Sequence, residues 1–323
     1  MTELIKRLTQ VSGASSNEGA IRELITKEVS PYADEISVDN IGNLIVRKRG
    51  NGKKIMLSAH MDEVGFFVTF IEESGLIRVS PIGSPSLLAS AFSEVVSENG
   101  VFGVLASESG DKAPKATELY IDIGAKDRRQ AEGRVKLGEC FTLVPKMKRL
   151  LGQRYIGRPL VSRVGCAILI EAIKQIKSPK NDLYFVFTAQ KELGMRGAMP
   201  ASYKIEPDVG ITVETAPARC PGSSVKLGEG CGIKLKSGGV IASPWLVDKI
   251  RTLAKEGAIK HQSEILEKAE SDASAIQMTR TGAPVSGISV PCAFVHTGCE
   301  MIDMNDVKSA LALTLKCCEE LDI

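Results

Sequence analysis

The sequence predicts an α/β fold in which one α/β domain is interrupted by a smaller, inserted β domain. Three observations carry this reading. Helical periodicity alternates with short apolar runs over residues 1–65, gives way to evenly spaced β-like runs between about Phe66 and Ile156, and returns from Arg163 onward. With 323 residues, 43% hydrophobic and 25% charged, the chain is long enough for two unequal cores.

Apolar residues recur at three and four from Leu4 to Val11 and from Ala20 to Val29, so two helices open the chain, the second behind the capping candidates Ser16 and Asn17. After Pro31 the pattern turns to strand: Ile36-Ser-Val38, a turn over Asp39–Asn43, Leu44-Ile-Val46, a turn at Gly50–Gly52, then Ile55-Met-Leu57. In the insert, Phe67–Ile71, Leu76–Val79, Val101–Leu105 and Leu119–Ile123 are parted by Gly, Ser and charged turns, as in a small barrel or sandwich. A helix is expected over Arg163–Lys177, a strand over Leu183–Phe187, a short helix over Gly194–Met199 and a strand over Val209–Val213. Gly228–Gly232 is glycine-rich but lacks the strand-then-helix context and the Lys-Ser/Thr ending of a phosphate loop. Helices over Pro244–Glu256 and Ala273–Thr281, a strand over Gly287–Val290 and a terminal helix over Asn305–Leu321 complete the chain.

Composition excludes several partners. Lys plus Arg number 41 against 39 Asp plus Glu, without long blocks of one sign, so neither nucleic acid nor an acidic membrane surface is expected. The first residues mix charge into an amphipathic pattern unlike a signal peptide, and the apolar run Cys166–Ile170 meets Glu171 at once, so no membrane span is expected. Eight cysteines without a C-x-x-C pattern suggest reduced thiols in a cytoplasmic protein.

Side chains able to bind a metal fall just past strand ends in four places: His60 with Asp62, then Glu192, Glu214 and His296. Ligands bind at the carboxyl edge of open α/β sheets, so these residues are expected to converge. His261, beside Lys260 and Gln262, reads as a surface or packing residue.

Seven segments resemble family 42 of the metallopeptidases, the glutamyl and deblocking aminopeptidases that form tetrahedral dodecamers and were once mislabelled cellulases. They are Val38–Ile45, Ser58–Gly65, Leu119–Ala125, Arg163–Cys166, Leu193–Ala198, Ser271–Ala273 and Val295–Met301. The resemblance implies an aminopeptidase-type mixed sheet flanked by helices, formed by residues 1–65 and 157–323, with a small β-barrel dimerisation domain inserted over 66–156. It implies peptide substrates, zinc or cobalt, and assembly between dimer and dodecamer.

Carried over by position, the resemblance makes His60 a ligand of one metal and Asp62 the carboxylate that orients its ring. Glu192 and His296 match ligands of the other metal, and Glu214 stands where the family has Asp. Asp272, in Ser271–Ala273, is a substrate-pocket candidate. Two positions depart from the pattern. The family's Asp-Asp pair, one member of which bridges the metals, is here Val161 and Ser162, and Ser162 would suit an N-cap before Arg163. The general-base Glu is here Lys191, which as an ammonium accepts no proton and is expected to pair with Glu192 or Glu214. These departures lead to an expectation of at most one metal, or none, and of impaired or lost aminopeptidase activity. The alternative is a non-catalytic structural or regulatory subunit of a hetero-oligomeric aminopeptidase particle; the assembly expected is a homo-oligomer or a hetero-oligomer with active paralogues. If only the bridge and the base are missing, Val161→Asp with Lys191→Glu should restore activity.

Overall fold

A computed structural model describes residues 1–110 and 112–323. The large sheet has twelve strands, and its main path runs Glu35–Val38, Leu44–Lys48, Asp182–Thr188, Lys54–His60, Val209–Ala218, Val285–Ala293, Glu300–Asp303, Arg154–Arg158 and Lys146–Arg149. Cys231–Ser237 joins on Val285–Ala293 and carries Val240–Ile241 and His261–Leu266. The central four strands, Asp182–Thr188 through Val285–Ala293, are parallel. Parallel strands are covered on both faces, which is why Ile55–Leu57 and Leu183–Phe187 read as continuous apolar runs rather than alternating ones.

Helices supply that cover. Thr2–Thr9, Gly19–Val29, Leu160–Gln175, Pro244–Glu256 and Met304–Glu320 pack on one core, while Ala198–Ile205 and Ala273–Gln277 close a second with Ile45, Met56, Val186 and Val285. Leu160–Gln175 is buried along most of its length, as its apolar run requires. The helix starts at Leu160 rather than at the expected Arg163, because Glu300 Oε2 accepts from the Leu160 and Val161 N–H groups at 2.6 and 3.0 Å. A distant carboxylate therefore supplies the cap, and Ser162 lies inside the first turn with Oγ accepting from Arg163 Nη1 at 3.2 Å. The expected helix over Gly194–Met199 is replaced by a single 3₁₀ turn at Lys191–Leu193 followed by Ala198–Ile205.

The insert is a closed barrel in the order Gly65–Ile71, Ile77–Ile82, Leu119–Asp122, Phe102–Ser107, Ser93–Ser97 and Cys140–Leu143. Phe66, Val68, Val79, Val95, Leu105 and Phe141 fill it. The last two strands of the expected 66–156 stretch, Lys146–Arg149 and Arg154–Arg158, pair instead into the large sheet through Arg154↔Asp303. Among the described residues no helix is long and apolar enough to cross a membrane.

Candidate metal centre

The four central parallel strands deliver their polar residues to one edge. His60 ends its strand with Nδ1 3.0 Å from the Asp62 carbonyl oxygen and 3.4 Å from Asp62 Oδ1. Asp62 is fully buried; it accepts from the Ser15 hydroxyl at 2.5 Å and from the backbone N–H groups of Lys191 and Glu192 at 3.0 and 2.9 Å. Burial opposes its charge, but the His60 contact and the Ser15 hydroxyl hold its pKa below the usual carboxylate range. Gln190, in the left-handed region at φ 54°, donates its N–H to Glu18 Oε1 at 2.9 Å. Two buried carboxylates, Glu18 and Asp62, thus hold three successive N–H groups and fix the turn that presents Lys191 and Glu192.

Glu192 Oε1 accepts from Lys191 Nζ at 3.1 Å and faces His296 Nε2 at 3.6 Å. Burial would raise the Glu192 pKa, yet Lys191 and His296 hold it far below its ordinary value. Lys191 is itself buried, which works against its charge, but Glu192 and Glu214 leave its pKa raised. His296 sits at φ 59°, and its Nδ1 lies 3.0 Å from the Ser84 carbonyl oxygen while its backbone N–H donates to Glu300 Oε1 at 3.2 Å. The expected pairing of Lys191 is therefore with Glu192 rather than Glu214.

Glu214 has a different cation. Its Oε1 accepts from Ser271 Oγ at 2.6 Å and from Lys234 Nζ, and Lys234 Nζ also donates to Glu264 Oε1 at 2.9 Å. Burial opposes the Glu214 charge, and Lys234 with Ser271 nonetheless keeps its pKa low. Asp272 lies deeper; Oδ2 accepts from Thr188 Oγ1 at 2.7 Å, Oδ1 has no hydrogen-bond partner, and burial pushes its pKa up to about 6. His261 stands apart on its strand, half-buried, with Nδ1 2.8 Å from the Ile259 carbonyl oxygen.

His60, Asp62, Val161, Ser162, Glu192 and His296 share the wall of one small cavity, so the structure brings these expected residues together. A cleft of about 530 Å³ opens over Val161, Lys191, Glu192 and His296, with Lys268 and Glu270 at its side. That volume suits a small ligand or the end of a chain. Among the described residues no group of three or more His, Cys, Asp and Glu is placed to hold a metal ion. The donor set explains this: Glu192 and Glu214 each bind an ammonium, and in the cavity beside Glu192 stand the apolar Val161 and the Ser162 hydroxyl. These residues do not fit a centre of two adjacent cations, which needs a shared negative oxygen to offset their repulsion.

Lys234 and Glu264, the partners of Glu214, are the site residues that sequence reasoning missed. In Cys231-Gly-Ile-Lys-Leu-Lys-Ser the apolar residues alternate, and Lys234 reads as the solvent side of a half-buried strand. A glutamate in the neighbouring run His261–Leu266 was the available signal, but only the strand order makes the two meet.

The fold and its carboxyl-edge residues define a peptidase-type α/β domain with a barrel insert. Residues 42–313 match the family described as M42 glutamyl aminopeptidase, and the chain belongs to that family, a metallopeptidase family for which a metal is expected. The chain is 31% identical to the lysyl aminopeptidase of Pyrococcus furiosus, over 99% of this chain and 97% of that protein. It is 40% identical to an Acetivibrio thermocellus protein that bears a provisional aminopeptidase name, over 98% of each. Among solved structures, an aminopeptidase from the archaeon Desulfurococcus kamchatkensis superposes with a TM-score of 0.95 at 29% identity, over 99% of this chain and 94% of that one. The TET1 peptidase of Pyrococcus horikoshii, described as assembling into a tetrahedron or a large octahedral shell, gives 0.93 at 30% identity, over 99% of each chain.

Proposed function

We propose that this chain keeps the peptide-accepting cleft and the assembling scaffold of an aminopeptidase but has lost two-metal hydrolysis, and that it acts as a non-catalytic structural or regulatory subunit. The observation that carries the reading is the Lys191 ammonium on Glu192, 3.1 Å away, where the family resemblance asks for a general base beside a metal ligand. A proton cannot be taken from water by an ammonium whose pKa is raised by two carboxylates. Of the expected ligands, His60 turns Nδ1 to Asp62, which backbone N–H groups already hold, and both ring nitrogens of His296 face oxygens, Nδ1 the Ser84 carbonyl and Nε2 the Glu192 carboxylate that Lys191 neutralises. At most one zinc or cobalt ion is therefore expected.

The remaining groups still define a receptor. Glu270 at the side offers negative charge to the ammonium of a peptide N-terminus, and Val161 and Pro217 offer apolar surface to its first side chain. The test is metal content after dialysis against zinc or cobalt, run with hydrolysis of a panel of aminoacyl substrates. Fewer than two ions per chain and no turnover are expected. Two tightly held ions with turnover would overturn the proposal.

A further inference from the structure

Glu214, Lys234 and Glu264 stand on three different strands of the large sheet. Glu214 is in register with Ser289, Ile233 with Ile288, and Lys234 with Glu264, so the lysine stands beside one carboxylate and a full strand away from the other. Its stem crosses that intervening strand at Gly287, where a Cβ would come 2.7 Å from Lys234 Cε and 2.4 Å from Thr212 Oγ1. Only a residue without a side chain lets the ammonium through. Lys234 and Glu264 are 1% and 0% exposed and Glu214 is 7% exposed, so water does little to offset these charges. One ammonium serves two buried carboxyl groups, and Glu264 Oε2 has no hydrogen-bond partner.

We infer that Lys234 and Lys191 are the resident cations of this centre, standing in for divalent ions, so that Glu192, Glu214 and Glu264 stay ordered with no metal bound. The inference rests on the reading that the donor set does not hold two metal ions, and it adds a positive role for a residue outside the family's ligand pattern. Removing the ammonium strands two buried carboxylates, which is far more damaging than removing an exposed charge. A free cation of suitable size should then re-enter the vacated space.

Thermal unfolding of the full chain tests this, with zinc, with EDTA and with methylammonium as probes. Wild type should unfold at the same temperature under all three conditions. Lys234→Met should lower Tm by on the order of 10 °C, and methylammonium or zinc should restore part of the loss. If Lys234→Met alone does not fold, the neutral set Lys234→Met, Glu214→Gln, Glu264→Gln should fold without any added cation. Failure of that set, a Tm of Lys234→Met equal to wild type, or its indifference to every cation would overturn the inference. Zinc that stabilises wild type without aminoacyl turnover would overturn the inference alone, whereas turnover with two bound ions would overturn the reading beneath it.

Discussion

Asp272 is buried, accepts one hydrogen bond from Thr188 and leaves Oδ1 unpartnered, which burial answers by pushing its pKa up to about 6. Because the folded state holds this proton more tightly than the unfolded chain, the residue favours folding below the ordinary carboxylate range. That contribution is lost as pH rises through about 6. Asp272→Asn should therefore be more stable than wild type at pH 8 by about 1–3 kcal/mol, with the difference shrinking toward pH 5 in urea titrations. The repair experiment also changes at this scale. Val161→Asp with Lys191→Glu supplies a carboxylate at each position where the family resemblance asks for one, but Lys234 still occupies Glu214, so the pair is expected to bind metal poorly and show no turnover. Adding Lys234→Met should raise metal content and produce measurable aminoacyl hydrolysis, since general-base assistance alone is worth about 10²–10⁴ in rate. His60, Asp62, Glu192, Glu214 and His296 were legible because each follows an apolar run that ends at one sheet edge. Lys234 was not, because a lysine in an alternating strand looks solvated until a sheet neighbour covers it.

At the level of elements, Glu300 joins two segments that sequence patterns treat separately. One carboxylate caps the helix Leu160–Gln175 through Leu160 and Val161 and holds the His296 backbone in its left-handed turn. Glu300→Ala would strand three buried or half-buried N–H groups and is expected to cost about 2–5 kcal/mol, read as a lower denaturant midpoint. This is also why the start of the helix escaped the sequence reading: local rules look for a cap next to the first turn, and the cap is 140 residues away. The barrel strands were legible from their turn spacing, whereas Lys146–Arg149 and Arg154–Arg158 were grouped with them because strand partners are not written in local pattern. Phe92, Phe102 and Leu88 are exposed on the barrel, at 67%, 66% and 71%. Phe102→Lys should leave the barrel folded, since its core lies on the opposite face, yet shift the protein to smaller species in light scattering if this surface is the expected dimer contact.

Across the whole molecule, the α/β domain and the barrel are joined at the site itself. The chain leaves the sheet after His60, enters the barrel at Gly65, and returns through Arg154–Arg158 to the helix that carries Val161 and Ser162. Between the barrel strand that ends at Ile82 and the next helical turn, residues 83–86 lie against the centre. Gly83, at φ +70°, is so close that a Cβ would come 2.9 Å from Glu192 Cβ. Beside it, the Ser84 carbonyl meets His296 Nδ1 and the Ser86 N–H donates to the His296 carbonyl at 3.0 Å. The barrel thereby supplies one of the two oxygens that face an imidazole of the other domain: with the Ser84 carbonyl at Nδ1 and Glu192 Oε1 at Nε2, both ring nitrogens meet acceptors, and although burial opposes the charge, Glu192 leaves the pKa of His296 raised. Any subunit that shifts the barrel would withdraw that carbonyl and loosen the ring's hold on its second proton, so quaternary contacts made far from the cleft would be felt there as a change of protonation.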